Sequence, residues 1–426
     1  MARKFDIPAK YQSDILSLIK RERNNVDQKK KDKSPSIIEL GNVTLKIARH
    51  FGFCFGVENA IEIAYRAVDE NPSKRVFLLS EMIHNPHVNR DLEEKGVRFL
   101  FTTYGEEKIP LSEVTSDDVV IIPAFGTTQE MFKTLQDKGV DIQKYNTTCP
   151  FVEKVWKRSA QLGAKDFTIV IHGKAKHEET RATFSHASSE GPSLVLADVE
   201  EAVWLKRFLL GEESLDAFWA KFEGRTSENF SPEEDLKRIG VVNQTTMLAT
   251  ETYEISQILR GAMVERYGEE SISDHFADTR DTLCYATSEN QEATKQLIAS
   301  GGDIAIIVGG YNSSNTSHLV ELCEEHFPSF FVKGPTELLG RDAIRHLDLH
   351  TWEVTETTDW IPQKEGPLEV LITSGASCPD ALVQAVVERL LEILEVSREK
   401  YYEEADSYLT SLRETGTKSP ETFNIV

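Results

Sequence analysis

The sequence lacks the apolar run of roughly 20 residues that a membrane-spanning helix requires. Its first residues, MARKFDIPAKYQSD, contain no apolar segment ahead of a small-residue cleavage site. Transit peptides are poor in acids, whereas this N-terminal stretch carries Asp6, Asp14, Glu22, Asp27 and Asp32. We therefore expect a cytoplasmic protein that does not bind a membrane.

Positive charge is also in short supply. The chain has 48 lysines and arginines against 70 aspartates and glutamates, which gives a formal net charge of -22. This net field repels a phosphate backbone, so we expect no nucleic-acid binding, and an anionic small substrate would need a focused pocket. The 426 residues, 40% of them hydrophobic, are enough for roughly two to four compact domains.

Cysteines are few, and they are not arranged as zinc knuckles. There are five of them, an odd number without a secretion signal, so we expect no disulfides. No two cysteines form the C-x-x-C pair that is typical of zinc ribbons. The sequence also lacks a G-x-G-x-x-G fingerprint in a strand-turn-helix context, so we expect no built-in flavin or nicotinamide.

A strand-turn-helix pattern recurs six times along the chain. Six short apolar runs each end in a polar turn that precedes a helical pattern: RVFLLS (75–80), DVVIIP (118–123), DFTIVI (166–171), RIGVVN (238–243), DIAIIV (303–308) and LEVLIT (368–373). Buried runs that alternate with helices predict an α/β fold with mainly parallel sheets. Ligands in such folds bind beyond the carboxyl ends of the strands, where the polar turns lie.

Three cysteines divide these six repeats. Cys54, Cys149 and Cys284 each stand in a turn directly before a helical pattern. We therefore predict three similar small α/β domains, packed with pseudo-threefold symmetry that brings the three cysteines to one axis. The predicted segments are an N-terminal extension (1–43), three domains (44–149, 150–283 and 284–376), a surface helical insertion in the second domain (near 203–239), and a C-terminal segment with a peripheral tail (377–426).

These three cysteines are candidate metal ligands. A helix N-terminus stabilises a thiolate and lowers the pKa of the thiol. Three thiolates suit an iron-sulfur cube that leaves one iron open, and a zinc ion held by three cysteines and a histidine, with His50 favoured, is the alternative. We expect Cys323 and Cys378 to be ordinary buried residues.

Eight motifs, in order, resemble the IspH/LytB family of 4-hydroxy-3-methylbut-2-enyl diphosphate reductases. They are GFCFGVENAI, MIHNPHV, TTCPFVEKV, KHEET, NQTTM, CYATSENQEA, YNSSNTSHL and SGASCPDALV, spread over roughly residues 44 to 390. The resemblance implies three α/β domains around one 4Fe-4S cluster, with Cys54, Cys149 and Cys284 as its ligands. The implied reaction is the reductive dehydroxylation of (E)-4-hydroxy-3-methylbut-2-enyl diphosphate to isopentenyl and dimethylallyl diphosphate, the last step of the non-mevalonate isoprenoid pathway.

The resemblance also implies roles for residues in the turns. Glu179 matches the proton source, Thr245 matches the residue between the substrate hydroxyl and that acid, and only Glu179 of the pair Glu178 and Glu179 is expected to point inward. The implied diphosphate-binding residues are His84, His177, Ser313, Ser314, Asn315 and Ser377. One departure stands out: many members have a histidine where this chain has Phe125, which cannot donate a hydrogen bond. Either Thr127 and Thr128 or backbone amides compensate, or the wall of the pocket differs at this position.

The implied partner is an external one-electron donor, ferredoxin or flavodoxin, and the chain is expected to be a monomer or a homodimer. The residues alone leave two alternatives open. A non-redox iron-sulfur hydro-lyase acting on a phosphorylated hydroxy substrate could use the same three cysteines. A phosphate-binding protein with a purely structural metal is the other alternative. Consumption of electrons during turnover separates the reductase from the hydro-lyase, and the phosphate-binding protein predicts a metal that is colourless or insensitive to substrate.

Overall fold

The computed structural model describes residues 5–277 and 282–417, which form two compact units. Unit 1 consists of Phe55–Ser288 together with Phe5, and unit 2 consists of Asp6–Cys54 and the chain from Glu289 onward. The α-helices are α1 (Leu16–Val26), α2 (Phe55–Asp69), α3 (Pro86–Glu94), α4 (Gln129–Asp137), α5 (Pro150–Gly163), α6 (Glu178–Ser188), α7 (Val199–Leu209), α8 (Leu215–Phe222), α9 (Pro232–Asp235), α10 (Ala249–Tyr267), α11 (Ile272–His275), α12 (Tyr285–Ala299), α13 (Ser314–Glu324), α14 (Asp380–Ile393) and α15 (Arg398–Thr417).

The strands of the described residues form three sheets. They are β1 (Ser36–Glu39), β2 (Val43–Ile47), β3 (Val76–Leu78), β4 (Arg98–Phe99), β5 (Val119–Ile121), β6 (Thr168–His172), β7 (Ser193–Leu196), β8 (Ile239–Asn243), β9 (Phe276–Ala277), β10 (Ile304–Val308), β11 (Ser329–Val332), β12 (Ala343–Asp348), β13 (Glu353–Thr358) and β14 (Leu368–Ser374). Unit 1 has a sheet of order β4-β3-β5 and a sheet of order β7-β6-β8-β9, both parallel. Unit 2 has one sheet of order β1-β2-β14-β10-β11-β12-β13, whose centre is parallel and whose edges are antiparallel.

The prediction of an α/β fold with mainly parallel sheets is confirmed. Each of the six predicted apolar runs contains a strand, and each of these strands is followed by a helix (β3 by α3, β5 by α4, β6 by α6, β8 by α10, β10 by α13 and β14 by α14). Every residue of β6, β8 and β10 is buried, as expected for strands that are covered on both faces. The polar turns therefore lie at the carboxyl ends of these strands.

The division of the chain differs from the predicted boundaries at residue 44. Strand β2 pairs in parallel with β14, with Val43 opposite Leu368 and Ile47 opposite Ile372. Residues before Cys54 thus belong to unit 2, and not with the strands of residues 76–121. The physical reason is that β14, an almost wholly buried strand, takes β10 as its neighbour on one side and β2 on the other. Such long-range pairing leaves no local trace in the sequence.

Two segments predicted to be peripheral contribute to the cores instead. Tyr401, Ala405 and Leu409 of α15 are buried, so the first part of the predicted tail packs one helical face into the core of unit 2. The predicted insertion is helical, as expected, but Phe218 and Phe222 of α8 are fully buried in unit 1. The many charges in both segments concealed these apolar faces. Among the described residues, no helix is both long enough and apolar enough to cross a membrane.

Candidate active site

The structure confirms that three of the cysteines stand at helix starts. Cys54 directly precedes α2, Cys149 is the N-cap residue of α5, and Cys284 directly precedes α12. Cys323 and Cys378 are fully buried, as predicted, and burial raises the pKa of the Cys323 thiol to about 12. Their burial gives both the properties of small core residues.

The expected lowering of thiol pKa at a helix start is wrong for Cys284. Burial raises the pKa of this thiol, although the backbone N–H groups of Thr287 and Ala286 act in the opposite direction. The carboxylate of Glu179 also acts to raise this pKa. Desolvation therefore outweighs the helix terminus at this thiol. Coordination to a metal ion deprotonates a thiol and would offset this effect.

In unit 1 the helix starts at Cys149 and Cys284 lie side by side. The rings of Phe151 and Tyr285 meet edge to face with centroids 5.7 Å apart. In unit 2 the backbone N–H of Cys54 donates to the carbonyl of Ala376 at 3.2 Å, which places Cys54 at the carboxyl end of β14. The donor set thus consists of cysteine thiols, which are the usual ligands of iron-sulfur clusters.

The zinc alternative finds no support in unit 2, where His50 faces charged groups. Its Nε2 lies 3.3 Å from Nζ of Lys33, and its Nδ1 lies 3.8 Å from Oε2 of Glu289. Within each unit, as far as the structure describes it, no three His, Cys, Asp or Glu side chains converge as ligands of one metal ion. Cysteines of a cluster bind different irons, so they need no such convergence.

Glu179 is a buried acid on the first turn of α6. The N-cap residue His177 accepts the backbone N–H of Glu179 on its Nδ1 at 3.2 Å. Oε1 of Glu179 accepts the backbone N–H of Thr245 at 2.5 Å, just beyond the carboxyl end of β8. Burial raises the pKa of Glu179 to about 7, against the hydrogen bonds from Thr245 and the nearby His84. Glu179 and Thr245 are thus in direct contact, and their roles toward a substrate stay a prediction.

The expectation that only one of the two glutamates points inward is wrong. Glu178 is also buried, its Oε1 lies 2.9 Å from Nε2 of His84, and its Oε2 accepts the hydroxyl of Ser80 at 2.5 Å. Consecutive residues at the start of α6 project in directions about 100° apart, and both directions are covered by protein. The contact between Glu178 and Ser80 could not be predicted from the sequence, because the two residues lie about 100 positions apart in the chain.

Phe125 joins the two histidines in a group of three rings. Its ring stacks on that of His84 with centroids 4.3 Å apart, and the ring of His177 meets that of His84 edge to face at 5.0 Å. The hydroxyl of Thr128 caps α4 by accepting the backbone N–H of Met131. Phe125 therefore supports the two histidines by packing instead of supplying a third donor.

Unit 2 gathers four of the predicted diphosphate ligands near the carboxyl ends of β10 and β14. Ser313 is the N-cap of α13, Ser314 and Asn315 follow it, and Ser377 lies beyond β14; all four are buried. Oδ1 of Asn315 accepts the backbone N–H of Ala376 at 2.8 Å. Its buried Nδ2 has no hydrogen-bond partner among the described residues. Because the oxygen already accepts a hydrogen bond from Ala376, the two N–H donors of the amide are available to a ligand or an ordered water.

The same hydrogen-bond arrangement occurs at these turns in both units. Glu179 and Asn315 are each the second residue of a helix whose N-cap lies five residues beyond a strand. Each accepts the backbone N–H of a residue two positions beyond the neighbouring parallel strand, Thr245 for Glu179 and Ala376 for Asn315. The same position therefore offers an acid in unit 1 and an amide donor in unit 2.

Comparison with known proteins identifies the family. Residues 45–391 match the family model described as LytB protein. The chain belongs to the LytB family. A relative from Picosynechococcus sp., named 4-hydroxy-3-methylbut-2-enyl diphosphate reductase, is 41% identical over 351 residues and is matched across 82% of this chain and 84% of its own length. A relative of the same name from Rippkaea orientalis is 38% identical over 388 residues, which cover 91% of this chain and 90% of the relative.

A solved structure shares the fold of this LytB family member. It is the E-1-hydroxy-2-methyl-but-2-enyl-4-diphosphate reductase from Plasmodium falciparum, with a TM-score of 0.57 at 21% sequence identity. The match covers 82% of this chain and 87% of that one. The resemblance read from eight motifs is thereby confirmed at the level of family and fold.

Proposed function

We propose that this LytB protein is a 4-hydroxy-3-methylbut-2-enyl diphosphate reductase that catalyses the last step of the non-mevalonate pathway. The observation that carries the proposal is Glu179, a fully buried acid held by Thr245 in the same unit as Cys149 and Cys284. Relatives that match more than four fifths of the chain carry the same enzyme name. One substrate, two electrons and two protons give isopentenyl or dimethylallyl diphosphate and one water.

Cys54, Cys149 and Cys284 would hold one 4Fe-4S cluster. Three cysteine ligands leave one iron open to the substrate. When bound, such a cluster supplies the two electrons and a Lewis-acidic iron for the substrate hydroxyl. The fit rests on the donor set, because each of the three thiols stands at a helix start while Cys323 and Cys378 lie in the cores.

Glu179 delivers the proton with which the hydroxyl leaves as water. Hydroxide is a poor leaving group, and a positioned general acid typically accelerates such a step by about 10² to 10⁴. A pKa of about 7 keeps a large fraction of Glu179 protonated at neutral pH, whereas a solvated glutamate would be ionised. Thr245 holds this acid through its backbone N–H and orients it toward the reacting oxygen.

The diphosphate is bound by donors that carry no permanent positive charge. These donors are His84, His177, Ser313, Ser314, Asn315 and Ser377. The helix N-termini at which several of them stand add backbone N–H groups that favour an anion. Asn315 supports this assignment most directly, because its buried Nδ2 lacks a partner in the described part of the chain.

The enzyme requires a one-electron donor, which we propose is ferredoxin or flavodoxin, and it acts in the cytoplasm as a monomer or homodimer. The test is anaerobic isolation followed by incubation with the allylic diphosphate and a reductant. A brown iron-sulfur chromophore and formation of both isoprenoid diphosphates are expected. A colourless protein, or a product that forms without reductant, would contradict the proposal.

A further inference from the structure

A short basic stretch has no role in the proposed reaction. Residues 29–33, with the sequence KKKDK and here called the basic segment, connect α1 to β1 in unit 2. Lys29 and Lys31 are exposed and make no hydrogen bond or ion pair within the described chain. Lys30 pairs with Glu289 at 2.9 Å, so one lysine anchors the segment while its neighbours extend into solvent.

The surroundings of the basic segment add positive charge. Nζ of Lys33 lies 3.3 Å from Nε2 of His50, and the neighbouring Arg49 is buried with an Nε that has no hydrogen-bond partner among the described residues. Burial, followed by the charges of Lys33 and Arg49, lowers the pKa of His50 to about 3. The nearby acid Asp32 is already paired with Arg23 at 2.6 Å. Acids are therefore too few here to neutralise the cations.

This positive region lies close to a proposed cluster ligand. His50 precedes Cys54 by four residues, and four residues span at most about 14 Å even when fully extended. The side chain of Lys33 touches His50 within the same unit. The positive charge of Lys33 therefore lies a short distance from Cys54, a proposed ligand of the cluster that receives the electrons.

We propose that the basic segment is the docking surface for an acidic one-electron carrier protein, an inference that rests on the proposed function. The reaction needs two single electrons, and the sequence has no nucleotide-cofactor fingerprint of its own. A chain of net charge -22 repels an acidic protein everywhere except at a local positive patch. Complementary charge at such a patch steers encounter and sets orientation. The need of the proposed reaction for single electrons, and the position of Cys54 four residues after His50, favour an electron carrier over nucleic acid or an anionic membrane as the occupant.

The test uses the full-length, cluster-loaded enzyme and the double variant Lys29→Glu/Lys31→Glu. Both lysines are exposed and make no hydrogen bond or ion pair with the described residues, so the fold should persist. With reduced plant-type ferredoxin as donor, KM for ferredoxin should rise about tenfold or more, because steering contributes factors of this size. With dithionite and methyl viologen, the rate should be unchanged. Lys29→Arg/Lys31→Arg should restore the ferredoxin-driven rate.

The matched control is Lys133→Glu/Lys165→Glu, which changes the net charge equally at two exposed lysines of unit 1. It should leave both assays unchanged.

Calorimetric titration with ferredoxin at low salt provides a readout without turnover, and only the basic-segment variant should lose affinity. Unchanged ferredoxin kinetics and affinity in that variant would overturn the proposal, as would equal loss with dithionite. Charge-dependent binding of an oligonucleotide or a phosphatidylserine vesicle, with ferredoxin unaffected, would also overturn it. An inactive wild-type enzyme with dithionite would instead count against the proposed function.

Discussion

Replacing Glu179 with glutamine removes one transferable proton and little else. The amide oxygen of Gln keeps the size of the side chain and can still accept the backbone N–H of Thr245, so the first turn of α6 should be unchanged. Because a positioned general acid contributes about 10² to 10⁴ in rate, kcat should fall by a factor in that range. KM should change little, since Glu179 does not belong to the proposed diphosphate ligands.

The pH dependence gives this prediction a second readout. The acid must be protonated to act, so the wild-type kcat should fall about tenfold per pH unit once the pH exceeds about 7. Glu179→Gln should lack that limb. The assay is anaerobic turnover with dithionite and methyl viologen, with products separated by chromatography and iron content measured in parallel. Near-normal turnover of an iron-replete variant, or persistence of the pH limb, would refute the role of Glu179.

The raised pKa also predicts a change in stability. Folding moves the pKa of Glu179 from 4.5 to about 7, so the folded state holds the proton more tightly. The stabilising contribution of the neutral carboxyl is complete below pH 4.5 and is lost as the pH rises through about 7, by about 3 kcal/mol. Glu179→Gln should therefore be more stable than the wild type at pH 8 and similar at pH 4.5. Anaerobic denaturant titrations at both pH values test this, and an equal difference at the two values would contradict it.

Three further predictions concern other parts of the site. Glu178→Ala should raise KM for the diphosphate about tenfold, because it removes the carboxylate oxygen that lies 2.9 Å from Nε2 of the buried His84. Glu178→Gln should stay near normal, and equal kinetics in the two variants would contradict this positioning role. Asn315→Asp keeps the oxygen that accepts the backbone N–H of Ala376 but replaces the amide donor by a second carboxylate oxygen. Calorimetry should show that the affinity for the diphosphate falls roughly tenfold or more. Unchanged affinity would mean that the diphosphate binds elsewhere. Replacing any one of the proposed cluster ligands Cys54, Cys149 and Cys284 by serine should abolish cluster assembly. Cys323→Ser should retain the iron content of the wild type.

Local sequence patterns were sufficient to predict the layered part of the fold. Runs such as 304–308 consist of Val, Ile and Ala, and the structure buries every residue of that strand. A polar turn and a helical pattern follow each run, which is enough to indicate a parallel sheet and to place function at the strand ends. The same pattern predicted that helices begin directly after Cys54, Cys149 and Cys284.

What the sequence did not reveal depends on contacts between distant residues. Nothing near Val43 indicates that its strand pairs with residue 368. The burial of Tyr401 was hidden because the helix around it is mostly charged. The contacts of Glu178 with Ser80 and His84 arise only when α6 packs against a loop about 100 residues earlier. Likewise, the high thiol pKa at Cys284 follows from burial, which a helix-start position does not reveal.

The most direct test of the proposed reductase activity is the number of electrons consumed per product. The cluster-loaded enzyme is incubated anaerobically with the allylic hydroxy diphosphate and a known amount of reduced methyl viologen, and oxidised dye and products are measured together. Replacing the carbon–hydroxyl bond by a carbon–hydrogen bond, with release of water, requires two electrons and two protons for each molecule of isopentenyl or dimethylallyl diphosphate. A ratio of two supports the reductase. Dehydrated product formed with no oxidation of the dye would contradict it and indicate the non-redox hydro-lyase.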